Sequence, residues 1–531
     1  MEANLNASMA SLGDSVTKEY NYFYDQEYAE ILNLTGEYPT SHNDSIFHAS
    51  IGYDAGQYVL PHYVKERWDA VLFHLKPISE GKTSLKEIYI ALGYFIKTFG
   101  RNYKIEEELT EDTEPGGNNK EEGLTTNLFL LNSYINKLND DGKREIIDKI
   151  IPFIARLVLK ADQLFPIASS FPILIQGKNE KINLTKEQCA CLMAHMFMCV
   201  TLDQYNSKIA SLRNFSQLYT DTRSKFPWRA KMKMEKLKFI FNYFKRLMKE
   251  VEIPPREIIF NRLVYDQECY EPVTSQAWTE CKDTLLKAEV NTSAIPETNE
   301  GGVQVCFSDR KVGDQTLSLG ATQQQIIFLT HPELIISILF CENLQDKEVL
   351  LTQGVEKFCT HSGFSNSFAF AKDYKDTCPL AQTENATLDR EIIMMDALDF
   401  KKNKDIFQFS EDAIFRELNK AYVGFLGDDV KAEDTPKKPI WTGKWGCGVY
   451  GGNVQLKFLL QWIAASRAKR DMVFYLYEDL TGIKNVDGFI SHFQNKEIGA
   501  LMKLLLKYAE NMKGSSGNEN DLFEALVSSG S

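Results

Sequence analysis

The chain has no Cys-x-x-Cys pair, no apolar run near the ~20 residues that a bilayer crossing requires, and no excess of basic charge. Its ten cysteines are scattered, which argues against a structural zinc and leaves no metal or cofactor to be expected. The opening Met1-Glu2-Ala3-Asn4 leads into a polar stretch without the apolar core of a secretion signal. Unpaired cysteines and a polar start together predict a soluble, intracellular protein, with cytoplasm, nucleus and a cytoskeletal assembly not distinguished. The longest apolar stretch, Leu334 to Phe340, follows Pro332 and is core-sized, so no membrane partner is expected. With 60 Lys+Arg against 73 Asp+Glu the formal charge is -13, which excludes a general nucleic-acid binder, because neutralising phosphates takes basic surface. One local basic run remains, Arg223, Lys225, Arg229, Lys231, Lys233, Lys236 and Lys238, expected to lie on a solvent-facing helix side.

What the chain does have is apolar mass: 531 residues, 44% hydrophobic and 12% aromatic, suffice for sizeable cores. Residues 1–55 are polar and without periodicity, and are read as an arm. Residues 56–253 read as helical. Lys143 to Lys160 places Ile146, Ile147, Ile150, Ile151, Ile154, Leu157 and Val158 at three-and-four spacing, and Thr185-x-x-Gln188 is a capping box before an apolar helix through Met198. Lys231 to Lys249 is an amphipathic helix with Leu237, Ile240, Phe241 and Phe244 inward, while the acidic segment Glu106 to Glu122 reads as a loop. From 254 to 512, short β-rich runs at Glu257–Phe260, Gly302–Val305, Glu348–Leu351, Ile392–Asp396 and Met472–Tyr477 alternate with helical ones such as Asn453–Ser466, an α/β pattern. Residues 513–531 read as a flexible tail.

Two stretches carry a family signature. Thr442-Gly443-Lys444-Trp445-Gly446-Cys447-Gly448-Val449-Tyr450-Gly451-Gly452-Asn453 precedes a helix, so its glycines free backbone N–H groups to approach a diphosphate and the helix dipole adds to the attraction. It resembles the TGNWGCGxxGGD segment of poly(ADP-ribose) glycohydrolases. Gln323-Gln324-Gln325-Ile326-Ile327-Phe328-Leu329-Thr330-His331-Pro332-Glu333-Leu334-Ile335-Ile336-Ser337 is similar to that family's QEEIRFLxNPELIIS. Further matches at Leu184–Cys199, Lys236–Arg246, Met395–Phe400 and Arg416–Phe425 extend the resemblance over roughly residues 60 to 510. It implies an α/β macrodomain-like three-layer sandwich with a mixed sheet, preceded by a mostly helical accessory domain. The implied ligands are ADP-ribose or poly(ADP-ribose). The implied contacts are Gln323, Gly446, Cys447, Gly448, Tyr450, Gly451 and Gly452 around the diphosphate, with Phe364 and Tyr477 flanking the adenosine. Ile295 and Glu297 fall near the family's adenine pair, with Pro296 in the direct Glu position, and Lys444 replaces an Asn, facing either a phosphate or solvent.

The chemistry of that family is altered. Breaking a ribose–ribose bond through an oxocarbenium-like transition state requires a carboxylic acid to protonate the leaving oxygen. Where the family has consecutive glutamates this chain has Gln324-Gln325, and an amide does not serve as that acid. The family's Asp falls at Cys306, read here as a small core residue, its Asn at Asp309, and its triple glycine at Gly313-Asp314-Gln315, whose side chains are expected to crowd the ribose. The leading expectation is therefore an inactive relative, either a reader of ADP-ribose or a scaffold with protein partners in a larger assembly. The competing one is a divergent glycohydrolase in which Asp309 or Asp314 supplies the acid.

Overall fold

A computed structural model describes residues 57–99, 128–166, 171–201, 208, 213–220, 227–250, 253–265, 273–293, 301–381, 386–428, 437–477, 479–513 and 522–530. The arm, the acidic loop, residues 295–297 and the first two residues of the basic run lie outside these. Eight strands form one mixed sheet: β1 Glu180–Thr185, β2 Glu257–Val264, β3 Ala288–Asn291, β4 Val303–Ser308, β5 Glu348–Gln353, β6 Glu391–Asp396, β7 Ile440–Gly443 and β8 Met472–Tyr475. Their spatial order is β1-β2-β5-β6-β4-β7-β8-β3. The run β6-β4-β7-β8-β3 is parallel, and β5, β2 and β1 add to it antiparallel.

Strict alternation along β6 shows why the sheet is covered twice. Ile392 and Met394 join the core on one face, Ile393 and Met395 that on the other, and all four are buried. The first face is covered by the preceding helical part of the chain. There α1, Lys186–Phe197, starts at the expected capping box: Gln188 N–H donates to the Thr185 hydroxyl at 3.1 Å, and Thr185 N–H to the Gln188 side chain at 2.9 Å. Against it lies α2, Pro227–Lys249, with Leu237, Ile240, Phe241 and Phe244 buried as anticipated. On the same face of the sheet α3, Gln323–Thr330, follows the long loop after β4. The second face packs α4, Glu411–Leu426, α5, Val454–Arg467, α6, Ile498–Met512, and α7, Leu522–Ser529, whose buried Phe523 stacks on Phe489, so this part of the expected flexible tail is instead a packed helix.

Three further readings of the sequence need correction. The helical part contributes β1, which pairs with β2 over the register Glu180↔Arg262 to Thr185↔Glu257, so it is joined to the sheet by a strand as well as by packing. The stretch from Lys143 to Lys160 is not one regular helix. Residues Glu145–Ile150 form a π segment in which Ile151 N–H reaches back to the Ile146 carbonyl, immediately before Pro152, whose ring and missing N–H disturb the regular ladder. The basic run is no solvent-facing stripe. Lys233 and Lys236 are buried, Lys233 Nζ donating to the Thr220 carbonyl at 3.0 Å. Among the described residues, no helix is long and apolar enough to cross a membrane.

Candidate functional site

In a parallel sheet the strand C-termini point to one edge, and loops leaving neighbouring strands there form the natural ligand crevice. Here the edge carries the loop of residues 309–320 after β4, the glycine-rich segment 444–453 after β7, and the turn after β8 that holds Tyr477 at φ 51°. The glycine-rich segment is anchored from beneath. Trp445 is buried, its indole N–H donating to the Met395 carbonyl at 3.1 Å, and Lys457 of α5 lies 4.2 Å from its ring centre. Gly446, at φ 73°, sits so close to Ala397 that an added Cβ would come within 2.6 Å of that side chain. Gly452 N–H closes the turn on the Gly446 carbonyl at 2.9 Å. Gly448 faces open space, and among the described residues the amides of Gly448, Val449 and Tyr450 have no protein acceptor. Cys447 stays partly covered, its thiol pushed up to about 12 by burial.

Beneath this loop lies a buried charge cluster. Asp396, at the end of β6, is bound by Lys420 and Arg416, while Glu417 is paired with Arg416 and Lys457. Burial alone would raise the Asp396 carboxyl, but Lys420 and Arg416 hold it below its ordinary value. Arg416 also bridges to Asp346 and Arg310 reaches Asp396, while burial pushes the Lys457 ammonium well down, so the cluster serves to anchor the segment beneath the glycine loop.

The glutamine run at the start of α3 is fully engaged. Gln323 grips the edge of β4, its carbonyl accepting from Phe307 N–H at 2.7 Å and its amide donating to the Val305 carbonyl at 2.9 Å. Gln324 accepts from Asp309 N–H at 2.9 Å and from the Ser308 hydroxyl at 2.6 Å, and donates to the Asp309 carboxylate at 3.1 Å. Gln325 accepts from the Thr322 N–H at 2.9 Å. The amides of Gln324 and Gln325 both donate to one acceptor, the Asp314 carbonyl, at 3.3 and 2.9 Å. Thr322-x-x-Gln325 is a capping-box pattern, a signal in the sequence that assigns Gln325 a local task alongside its family position.

Asp309 stands where the loops meet. Its carboxylate accepts from the Tyr450 hydroxyl and from Gln324, and burial raises its pKa although both bonds oppose the rise. Cys306 is a core residue of β4, its thiol driven far up by burial, which removes it as a nucleophile. Gln315 adopts φ 60°, the left-handed region that glycine tolerates best, and its side chain turns back to accept from Ser318 at 2.6 Å. Lys444 pairs with the exposed Asp479. Phe364 and Tyr477 do meet, with ring centres 6.2 Å apart and edge-on, and the Phe364 turn is tied to the loop before α3 by Ser365 N–H on the Ala321 carbonyl at 3.0 Å.

A mixed sheet covered on both faces, with a glycine-rich turn at its parallel strand ends, defines a macrodomain fold. Residues 275–482 match the family description "Poly (ADP-ribose) glycohydrolase (PARG), Macro domain fold", and residues 138–262 match that family's helical domain. The chain belongs to the poly(ADP-ribose) glycohydrolase family. It is 27% identical over 433 residues to probable poly(ADP-ribose) glycohydrolase 2 of Arabidopsis thaliana, covering 70% of this chain and 80% of that protein. It is also 27% identical over 362 residues to poly(ADP-ribose) glycohydrolase 1 of Caenorhabditis elegans, covering 66% of this chain and 42% of that one. Among solved structures, the glycohydrolase of Deinococcus radiodurans in complex with ADP-ribose aligns at 14% identity and a TM-score of 0.24, covering 40% of this chain and 86% of that one.

Proposed function

We propose that this protein is an inactive glycohydrolase that retains an ADP-ribose site, acting as a reader or assembly component and not cutting the polymer. The observation carrying this reading is the pair Gln324-Gln325 at the start of α3, with both amide groups committed to the Asp314 carbonyl. Amide side chains supply neither a transferable proton nor negative charge for an oxocarbenium ion, and general acid catalysis alone is worth ~10²–10⁴-fold. Ligand binding is assigned to Gly446–Gly452, where the amides of Gly448, Val449 and Tyr450, without a protein acceptor among the described residues, suit a diphosphate, with Phe364 and Tyr477 for the adenosine. We assign residues 1–55 to an arm, 56–253 to the helical domain and 254–512 to the macrodomain, onto which the helix Leu522–Ser529 packs, in an intracellular protein with protein partners.

Turnover of labelled poly(ADP-ribose) by the purified chain is the test. Release of ADP-ribose within about tenfold of an active relative would end this reading, since loss of the acid costs at least ~10²-fold. One observation favours the competing reading: Asp309 is a partly buried carboxyl of raised pKa within this site, as a general acid requires. Under that reading turnover is measurable and is lost in Asp309→Asn.

A further inference from the structure

The Lys236 ammonium is fully buried on α2, in the helical part of the chain, and its three contacts all lie in the loop after β4. Nζ donates to the carbonyls of Gln315 at 3.2 Å, Thr316 at 2.9 Å and Ser318 at 2.8 Å. Among the described residues no carboxylate pairs with it. Burial, with Lys233 nearby, pushes its pKa down, yet three acceptors call for the three N–H bonds of an ammonium. Such a nitrogen organises a loop as a bound cation would. The next carbonyl upstream, that of Asp314, is the one gripped by Gln324 and Gln325.

We propose that Lys236 is the positioning residue for the wall of the ADP-ribose site formed by residues 313–320, so that ligand binding by the α/β half depends on a side chain of the helical half. The inference rests on the ADP-ribose reading for its ligand arm, but not for its structural arm. Lys236 acts through the loop: it fixes the carbonyls of 315, 316 and 318, and this sets the left-handed Gln315 and presents the Asp314 carbonyl to the two glutamines. Without the ammonium, the Thr316 and Ser318 carbonyls would lose their donor in the interior, while that of Gln315 keeps the Ser318 and Gly320 N–H groups, and the loop would open to hydrate the two. Sequence periodicity placed Lys236 in a solvated stripe, and only the packing of α2 on the loop reverses that.

The test uses the full chain and Lys236→Met, which keeps the stem and removes the donors. The loop amides of Asp314, Thr316, Ser318 and Gly320 are hydrogen-bonded within the loop, so hydrogen exchange reads their opening. Their exchange is expected to rise about tenfold or more, with α2 and the strands unchanged, and the ADP-ribose Kd by calorimetry to rise about tenfold. Unchanged loop exchange overturns the proposal, and so does faster exchange spread evenly over the molecule, the mark of a purely structural lysine. If the native chain gives no heat with ADP-ribose, the reader reading fails while the exchange arm still decides the role of Lys236. Should Lys236→Met not fold, the native chain decides. The four loop amides and the amides of α2 must then open as one unit in a denaturant series, and a loop that opens independently at lower energy refutes the proposal.

Discussion

The Tyr450 hydroxyl donates to the Asp309 carboxylate, bridging the glycine-rich loop after β7 and the loop after β4. These strands are neighbours in the sheet, so one hydrogen bond sets the spacing of the two loops that the proposed ligand must enter between.

That bond predicts a pH-dependent effect of Tyr450→Phe. The folded pKa of Asp309 lies above its ordinary 3.8, chiefly through burial, so its contribution to stability is full below that value and is lost as pH rises through the folded pKa. Tyr450 offsets part of this loss by favouring the carboxylate. Removing the hydroxyl should therefore destabilise by about 1.5–3 kcal/mol near neutral pH and by less once Asp309 is protonated. Urea unfolding of both proteins on either side of the Asp309 titration measures it. Equal destabilisation at both pH values would refute the electrostatic part.

Gln324→Glu with Gln325→Glu should not restore turnover. A carboxylate at 324 would replace an amide donor facing the Asp309 carboxylate, and both new carboxylates would face the Asp314 carbonyl. An uncompensated buried charge of this kind costs about 3 kcal/mol or is neutralised by protonation. The double variant should melt at a lower temperature than the native chain and still release no ADP-ribose. Full activity together with unchanged melting would contradict the geometry.

Two glycines separate folding from binding. At Gly446 the positive φ and the 2.6 Å approach to Ala397 predict that Gly446→Val destabilises by about 2 kcal/mol or more. At Gly448 an added Cβ meets nothing within 4 Å, so Gly448→Val should leave the melting temperature within a degree or two and abolish any ADP-ribose heat. Binding that survives in Gly448→Val would move the ligand away from this loop. Absence of heat from the native chain would leave the loop a structural element and the protein a scaffold.

Glu333 predicts a second pH dependence, remote from the glycine-rich loop. It is fully buried, accepts from Glu356 N–H at 2.8 Å with one oxygen, and has its pKa raised from 4.5 to about 7, chiefly by burial. Since the folded value exceeds the unfolded one, its contribution is complete below pH 4.5 and disappears as pH rises through about 7. Glu333→Gln should flatten stability over that window by up to about 3 kcal/mol. Melting temperatures from acid to slightly alkaline pH test this, and a native-like slope in the variant would rule it out.

Local patterning determined much of this protein. Alternation in Ile392–Asp396 and the capping box at Thr185 are set by neighbours a few residues apart, and so are the glycine-rich turn ending at Asn453 and the apolar face of α2. The replacement of a glutamate pair by Gln324-Gln325 is likewise a matter of composition, legible without any fold. Contacts between distant segments were decided only by the tertiary structure. β1 reads as the lead-in to a helix until β2, over seventy residues later, offers it a partner. Lys236 belongs to the same basic run as the exposed Lys231, and it is buried because a loop some eighty residues further on turns three carbonyls toward it. Asp309 and Tyr450 are 141 positions apart, and nothing local to either foretells the bond between them. Side-chain periodicity reports which face of an element is apolar, whereas the partner of a buried polar group depends on which backbone the fold brings to it.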